Sequence, residues 1–211
     1  MRPVLILFAK APVPGRVKTR LAVHVGAEKA AALHRAFALD TLGVLRQAAG
    51  LAGARVEIHT DTPTDAWDGL EVPVRLQAAG DLGARMLAAL DAALAAGDAP
   101  ACIVGSDAPA LPAAHLVDLL SRDAEAALGP AEDGGYYAIS CRRTHPRMFH
   151  GVRWSHGETL LDTEAAMRAC GLTTERGPAW RDIDDWEDVV RLQADGQAAH
   201  HTHLALQRLL A

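Results

Sequence analysis

The sequence predicts an α/β fold: a mostly parallel sheet with helices on both faces. Three observations carry the prediction. Val4 to Phe8 is a continuous apolar run of strand length, the pattern of a strand covered on both sides. Strand-length and helix-length segments then alternate along the chain, and parallel neighbours require such crossovers. Finally, 211 residues with 50% hydrophobic side chains suffice for one well-buried domain but are short for two, so residues 1–211 are read as a single unit.

The elements follow in order. After the first strand comes a basic loop, then "GAEKAAALHRAFALDTLGVLRQAAG", whose apolar positions Ala30, Leu33, Phe37, Val44 and Ala48 mark a helix, with Gly50 as its stop. "RVEIHTD" alternates as a second strand, and "VPVRLQ" offers a third. "GDLGARMLAALDAALAAG" is a helix with Asp81 as N-cap, core positions Leu82, Met86, Leu90 and Leu94, and Gly97 as its close. "ACIVGSD" is a short buried strand and "PAAHLVDLLSR" a helix. "AALGPAEDGGYYAIS" reads as a strand interrupted by a turn, and "GETLLDTEAAMRACG" as a helix. The last segment, "WEDVVRLQADGQAAHHTHLALQRLLA", is helical with a break near Gly196.

Composition excludes several classes of function. A net charge of −5 and a pI near 6.0 argue against a general nucleic-acid binder, whose phosphate contacts need a basic surface. No stretch reaches the roughly 20 apolar residues of a membrane-spanning helix, and the initial apolar run is too short for a secretory core. Cys102, Cys141 and Cys170 are widely spaced without a CxxC pair, which fits a reducing cytoplasm better than a disulfide or cysteine–zinc framework. Monomer and homodimer both remain open.

Chemistry concentrates in a few segments. "FAKAPVPGRVKTRL" brings Lys10, Arg16, Lys18 and Arg20 to the carboxyl end of the first strand, where sheets of this kind bind ligands. Pro12 and Pro14 stiffen this loop, while Gly15 permits a tight turn and close backbone approach to an anion. Lys18 and Arg20, with Thr19 between them, are placed to reach phosphate oxygens. Neither G-x-x-x-x-G-K-[ST] nor G-x-G-x-x-G is present, which sets aside standard ATPase and dinucleotide loops.

"IVGSDAPAL" puts Asp107 just after a strand, suited either to hold Mg²⁺ or Mn²⁺ against phosphates or to cap the next turn. "GPAEDGGYYAIS" carries Asp133 before Gly134 and Gly135, an arrangement equally compatible with a ligand-facing turn and a plain hairpin. In "WRDIDDWEDVV", Asp182 and Asp184 share one side if the stretch is extended, while other acids of the group cap the following helix. "QAAGDLGARM", opening on Gln77, sets Gly80 and Gly83 around Asp81, either to read a base or sugar edge or simply to cap its helix. "HHTH" is assigned to the surface of the terminal helix and not to a metal. No Ser–His–acid set stands out, since Ser106 and Ser155 lack the G-x-S-x-G turn.

Taken in order with "VRWSHGETL", these motifs run from Phe8 to Val189 and resemble one family of small bacterial transferases in the glycosyltransferase-A superfamily. That family was formerly classed as a domain of unknown function. It is also known as radical-SAM/selenodomain-associated transferases and, in places, as arsenosugar-biosynthesis glycosyltransferases. The superfamily includes the molybdenum-cofactor and phospholactate guanylyltransferases. The resemblance implies a Rossmann-like three-layer sandwich of the nucleotide-diphospho-sugar transferase type, with a nucleoside phosphate gripped by Lys10, Gly15, Lys18 and Arg20. It further implies a divalent metal at Asp107, Asp133 near the reacting centre, Asp184 as second acidic partner, and Trp154 and His156 shaping an acceptor pocket.

The leading expectation is therefore a metal-dependent glycosyltransferase moving a sugar from a nucleotide-diphospho-sugar to a small acceptor. One departure counts against it: Gly105-Ser106-Asp107 supplies a single carboxylate where a D-x-D motif supplies two. The alternative is a nucleotidyltransferase taking NMP from an NTP. A nucleotide-binding module without turnover is the reading from a different class.

Overall fold

The computed structural model describes residues 1–194, 196 and 199–210. Seven strands form one sheet in the order β3-β2-β1-β4-β6-β5-β7. The strands are β1 (Arg2–Ala9), β2 (Arg55–Thr60), β3 (Val74–Leu76), β4 (Asp98–Gly105), β5 (Ala126–Pro130), β6 (Tyr136–Cys141) and β7 (Thr174–Arg176). All neighbours are parallel except β6, which runs against both β4 and β5. The predicted mostly parallel α/β fold is the one observed.

Alternation along β1 divides the core. Leu5 and Leu7 face one layer, with α2 (Ala27–Ala52) and α4 (Ala113–Ser121); Val4 and Ile6 face the other, with α3 (Leu82–Ala95) and α5 (Thr159–Ala169). All four β1 side chains are fully buried. At about 25 cal/mol per Å² of apolar surface, such side chains contribute about 1.5–3 kcal/mol each. A third cluster joins the amino-terminal half of α2 to α1 (Thr19–Val25), α6 (Trp186–Ala194) and α7 (His200–Leu210) through Leu21, Leu33, Phe37, Ile183, Val189 and Leu206. This cluster fixes the segment around Ile183 against the basic loop. No helix among the described residues is long and apolar enough to cross a membrane.

Three local expectations need correction, and a fourth, the break near Gly196, is observed. The second helix continues past Gly50 to Ala52, and Gly53 at φ 65° ends it, because only there does the chain need a left-handed residue. Leu82 is 38% exposed and Leu94 half-buried; the buried face of α3 is Met86, Ala89, Leu90 and Ala93, one helical stripe rotated from the leucine pattern. Helix α1 and strand β7 are additions, the first starting inside the basic loop and the second only three residues long. The terminal segment is two helices, with Gly196 at φ 63° between them. In the second, His200, His201 and His203 are exposed, whereas Thr202 is buried and the backbone N–H groups of His201 and Thr202 donate to Asp40.

Candidate functional site

An open cleft of about 810 Å³ lies beyond the carboxyl ends of β1 and β4. Side chains singled out above line it: Lys10, Arg16, Lys18, Thr19, Arg20, Gln77, Asp81, Asp107, Asp133, Asp182, Asp184 and His156. Trp154 and Gly135 line it too. Segments far apart in sequence thus meet in one concavity.

Lys18 is the pivot. Its backbone is left-handed, φ 46° and ψ 47°, at the residue preceding α1, a conformation that costs a non-glycine residue about 1 kcal/mol or more and persists where tertiary contacts impose it. Those contacts are three acceptors. The ammonium donates to Ile183 O at 2.5 Å, to Asp184 Oδ1 at 3.1 Å and to Asp107 Oδ1 at 3.0 Å, with the Phe37 ring centroid 5.9 Å away. An ammonium carries three hydrogens, so all are committed. The side chain is 5% exposed. Burial works to lower the Lys18 pKa, but Asp107 and Asp184 overcome it and raise the pKa. The phosphate-gripping role expected for Lys18 therefore requires it to leave a partner, which the sequence did not indicate.

Asp107 follows β4, and its backbone carbonyl accepts from Ile183 N at 2.9 Å, locking the 182–185 segment to the sheet. It does not cap α4, whose first turn is preceded by Pro112. Burial pushes its carboxyl upward, yet Lys18 holds it well below the usual carboxylate range.

The acids of "DIDDWED" sort as alternation suggested. Ile183 is buried, while Asp182 and Asp184 line the cleft. Asp185 and Asp188 cap α6 reciprocally: Asp188 N donates to Asp185 Oδ1 at 3.0 Å, and the amides of Asp184 and Asp185 donate to Asp188 Oδ2. Capping is thus satisfied without Asp182. Its carboxyl is pushed up to about 7, first by burial and then by Asp107, Asp133 and Asp184, against the opposing pull of Lys18. Asp182 thus sits in a desolvated position beside three other acids of the cleft.

The remaining predicted residues divide. Arg20 is exposed and reaches Asp184 Oδ2 at 3.7 Å. Asp133 closes its own turn, accepting from Gly135 N at 2.8 Å. Gly134, φ 86°, lies outside the cleft lining and packs on the chain at Gly157, where an added Cβ would stand 1.9 Å from the Gly157 carbonyl oxygen. Gly15, φ 78°, shapes the loop but does not line the cleft. Asp81 caps α3, accepting from Ala84 N at 2.8 Å. Gly80 and Gly83 do not line the cleft either; a Cβ on Gly83 would meet Phe149 Cβ at 2.9 Å and Trp154 at 3.0 Å, so Gly83 seats Trp154 against α3. Gln77 is tied on both sides, donating to His59 O and accepting from Arg85.

Sequence reasoning missed His34 and Arg85. His34 is buried on the apolar face of α2; its Nε2 donates to Lys10 O at 3.0 Å. Its Nδ1 stands 3.8 Å from Asp107 Oδ1, outside hydrogen-bond reach, and has no partner among the described residues. A histidine one position after Leu33 in an otherwise apolar stripe was the available signal. Among the described residues no three His, Cys, Asp or Glu side chains converge closely enough to hold a metal by themselves.

Comparison with known proteins agrees with the fold. The family DUF2064, described as an uncharacterized protein conserved in bacteria, matches residues 41–156. A 2-phospho-L-lactate guanylyltransferase of Methanocella arvoryzae is 30% identical over 194 residues, covering 89% of this chain and 81% of that protein. A crystal structure from Desulfovibrio desulfuricans G20, assigned provisionally as a nucleotide-diphospho-sugar transferase, superposes with a TM-score of 0.85 at 32% identity over 99% of this chain and 95% of that one. A nucleotidyl transferase from Methanothermobacter thermautotroptrophicus shares the fold at a TM-score of 0.59 and 16% identity, over 92% and 98% of the two chains. Fold, motif order and these matches together place the chain in the bacterial family DUF2064, within the nucleotide-diphospho-sugar transferase fold.

Proposed function

We propose that this chain is a nucleotidyltransferase, moving NMP from an NTP to a small acceptor with release of pyrophosphate. The observation that carries the reading is the end of β4: it offers one carboxylate, Asp107, where sugar transfer of the D-x-D kind employs two, and that carboxylate faces the cationic loop in a single cleft. The guanylyltransferase relative favours the same reaction, with GTP as the first donor to try. In this reading the glycosyltransferase expectation gives way to its alternative.

The donor set suits a hard divalent cation. Asp107, Asp182 and Asp184 bring carboxylate oxygens to one cleft, and His34 Nδ1 marks a buried polar atom still without a partner among the described residues. Asp107 and Asp184 would hold Mg²⁺ or Mn²⁺, with nucleotide phosphates completing its shell. Such an ion would offset negative charge growing on the leaving pyrophosphate. Lys10, Arg16 and Arg20 line the same cleft and would supply cations for the phosphates. Asp133, Trp154 and His156 also line the cleft and would border the acceptor, held in line with the α-phosphorus.

A second reading, sugar transfer from an NDP-sugar, is favoured by the Desulfovibrio structure. Incubating the protein with each of the four NTPs, and with UDP-, GDP- and CDP-sugars, against a panel of hydroxy acids, phosphorylated acids and polyols separates the two. Pyrophosphate release with an NTP supports nucleotidyl transfer; NDP release from a sugar donor supports the second reading instead.

A further inference from the structure

We propose that the Lys18 ammonium is a resident counter-cation that closes the gap between Asp107 and Asp184 to a free divalent ion, so that metal and nucleotide phosphates enter as one complex. The inference rests on the reading of the cleft as a metal-supported nucleotide site.

The geometry assigns Lys18 the place that a bridging cation would take. It lies 3.0 Å from Asp107 Oδ1 and 3.1 Å from Asp184 Oδ1, and Ile183 O takes its third hydrogen. A metal arriving alone must take both carboxylates from this ammonium and leave it buried with the Ile183 carbonyl as its one remaining acceptor, which is unfavourable for a charge removed from water. Phosphate oxygens arriving with the metal change the exchange. Lys18 then gives up two carboxylates and gains phosphate oxygens in charge-assisted bonds, while the carboxylates become free to act as ligands. Binding of the ion and of the nucleotide is therefore strongly cooperative.

His34 supports the same conclusion independently. Its Nε2 donates to Lys10 O, so in the neutral ring the Nδ1 lone pair faces the Asp107 carboxylate. Lys18 has no hydrogen left to offer it, and the atom is buried without a partner among the described residues. With the ammonium in place one polar atom of the cleft wall stays unsatisfied; an ion with its bound water in the gap would supply the missing donor.

The test is Mn²⁺ binding to nucleotide-free protein, read from the paramagnetic resonance signal of free Mn²⁺, in the parent and in Lys18→Met. The parent should bind Mn²⁺ weakly and gain at least tenfold in affinity when GTP is saturating, whereas Lys18→Met should bind Mn²⁺ alone at least tenfold tighter than the parent. A folded Lys18→Met whose Mn²⁺ affinity stays within twofold of the parent overturns the proposal. Should that variant not fold, the ¹⁵N-detected ammonium signal of Lys18 in the parent decides: it should be unmoved by Mg²⁺ alone and shift with Mg²⁺–GTP, and a shift with Mg²⁺ alone overturns the proposal. The metal dependence of GTP binding by the parent separates the two levels. If it is present while Lys18→Met behaves like the parent, only the counter-cation role falls; if it is absent, the metal-supported site falls as well.

Discussion

Asp182 and Asp184 flank the buried Ile183 and present both carboxyl groups to the cleft, while Asp185 and Asp188 turn away to cap α6. One short acidic segment thus does two jobs, and substitution should separate them. Asp185→Ala removes a cap and should cost about 1 kcal/mol of stability with nucleotide affinity preserved. Asp184→Ala, which takes one acceptor from the buried Lys18 ammonium, should lower the urea midpoint as well and, unlike Asp185→Ala, weaken nucleotide binding at least tenfold. Equal effects of the two variants on both quantities would show that the segment is only structural.

Gly134 offers a test of how tightly the turn carrying Asp133 is built. Its φ of 86° and the 1.9 Å approach of a Cβ to the Gly157 carbonyl leave no room for a side chain. Gly134→Ala should destabilise by about 2–4 kcal/mol, since both backbone strain and a clash with backbone must be relieved. Gly151→Ala is the control: φ is 77°, with nothing within 4 Å of the added Cβ, so only strain of about 1 kcal/mol applies. Urea unfolding of both variants gives the difference.

Away from the cleft, Glu57 is buried among Arg55, His59 and Arg75. Burial raises its pKa, but hydrogen bonds from His59, Arg55 and Arg75 more than reverse this and bring it to about 2. A carboxyl depressed in the folded state stabilises at pH above its unfolded value near 4.5, and that contribution is lost as pH falls through 2. The amount is about 2–3 kcal/mol. Glu57→Gln should therefore be less stable by roughly that amount at pH 7. Its loss of stability between pH 5 and 2 should be shallower than the parent's, as measured by thermal unfolding across that range.

Much of this arrangement was legible in the letters. The apolar run before "KAPVPGRVKTRL" and the short run before Gly105-Ser106-Asp107 placed both motifs at strand ends, and adjacent parallel strands bring such ends together. The alternation of Asp182 and Asp184 was read correctly because it is a local property of extended chain. What stayed hidden depends on tertiary packing. Nothing local says that Lys18 adopts a left-handed backbone and spends its ammonium on two carboxylates and a carbonyl, because its three partners lie on distant segments. The letters around Gly80 and Gly83 fitted ligand approach and helix capping equally, and neither names the reason Gly83 is small, which is that Phe149 and Trp154 lie against it. The helix containing His34 showed its period clearly, yet a polar residue on an apolar face gives no hint of which strand end it will meet.

The most direct measurement is calorimetric titration of GTP into the parent and Asp107→Ala, each with Mg²⁺ and with chelator. Binding by the parent in Mg²⁺ should weaken at least tenfold on chelation, and a folded Asp107→Ala should bind weakly with no response to Mg²⁺. Equal GTP affinity in all four titrations, or none in any of them, would contradict a metal-supported nucleotide site built on Asp107.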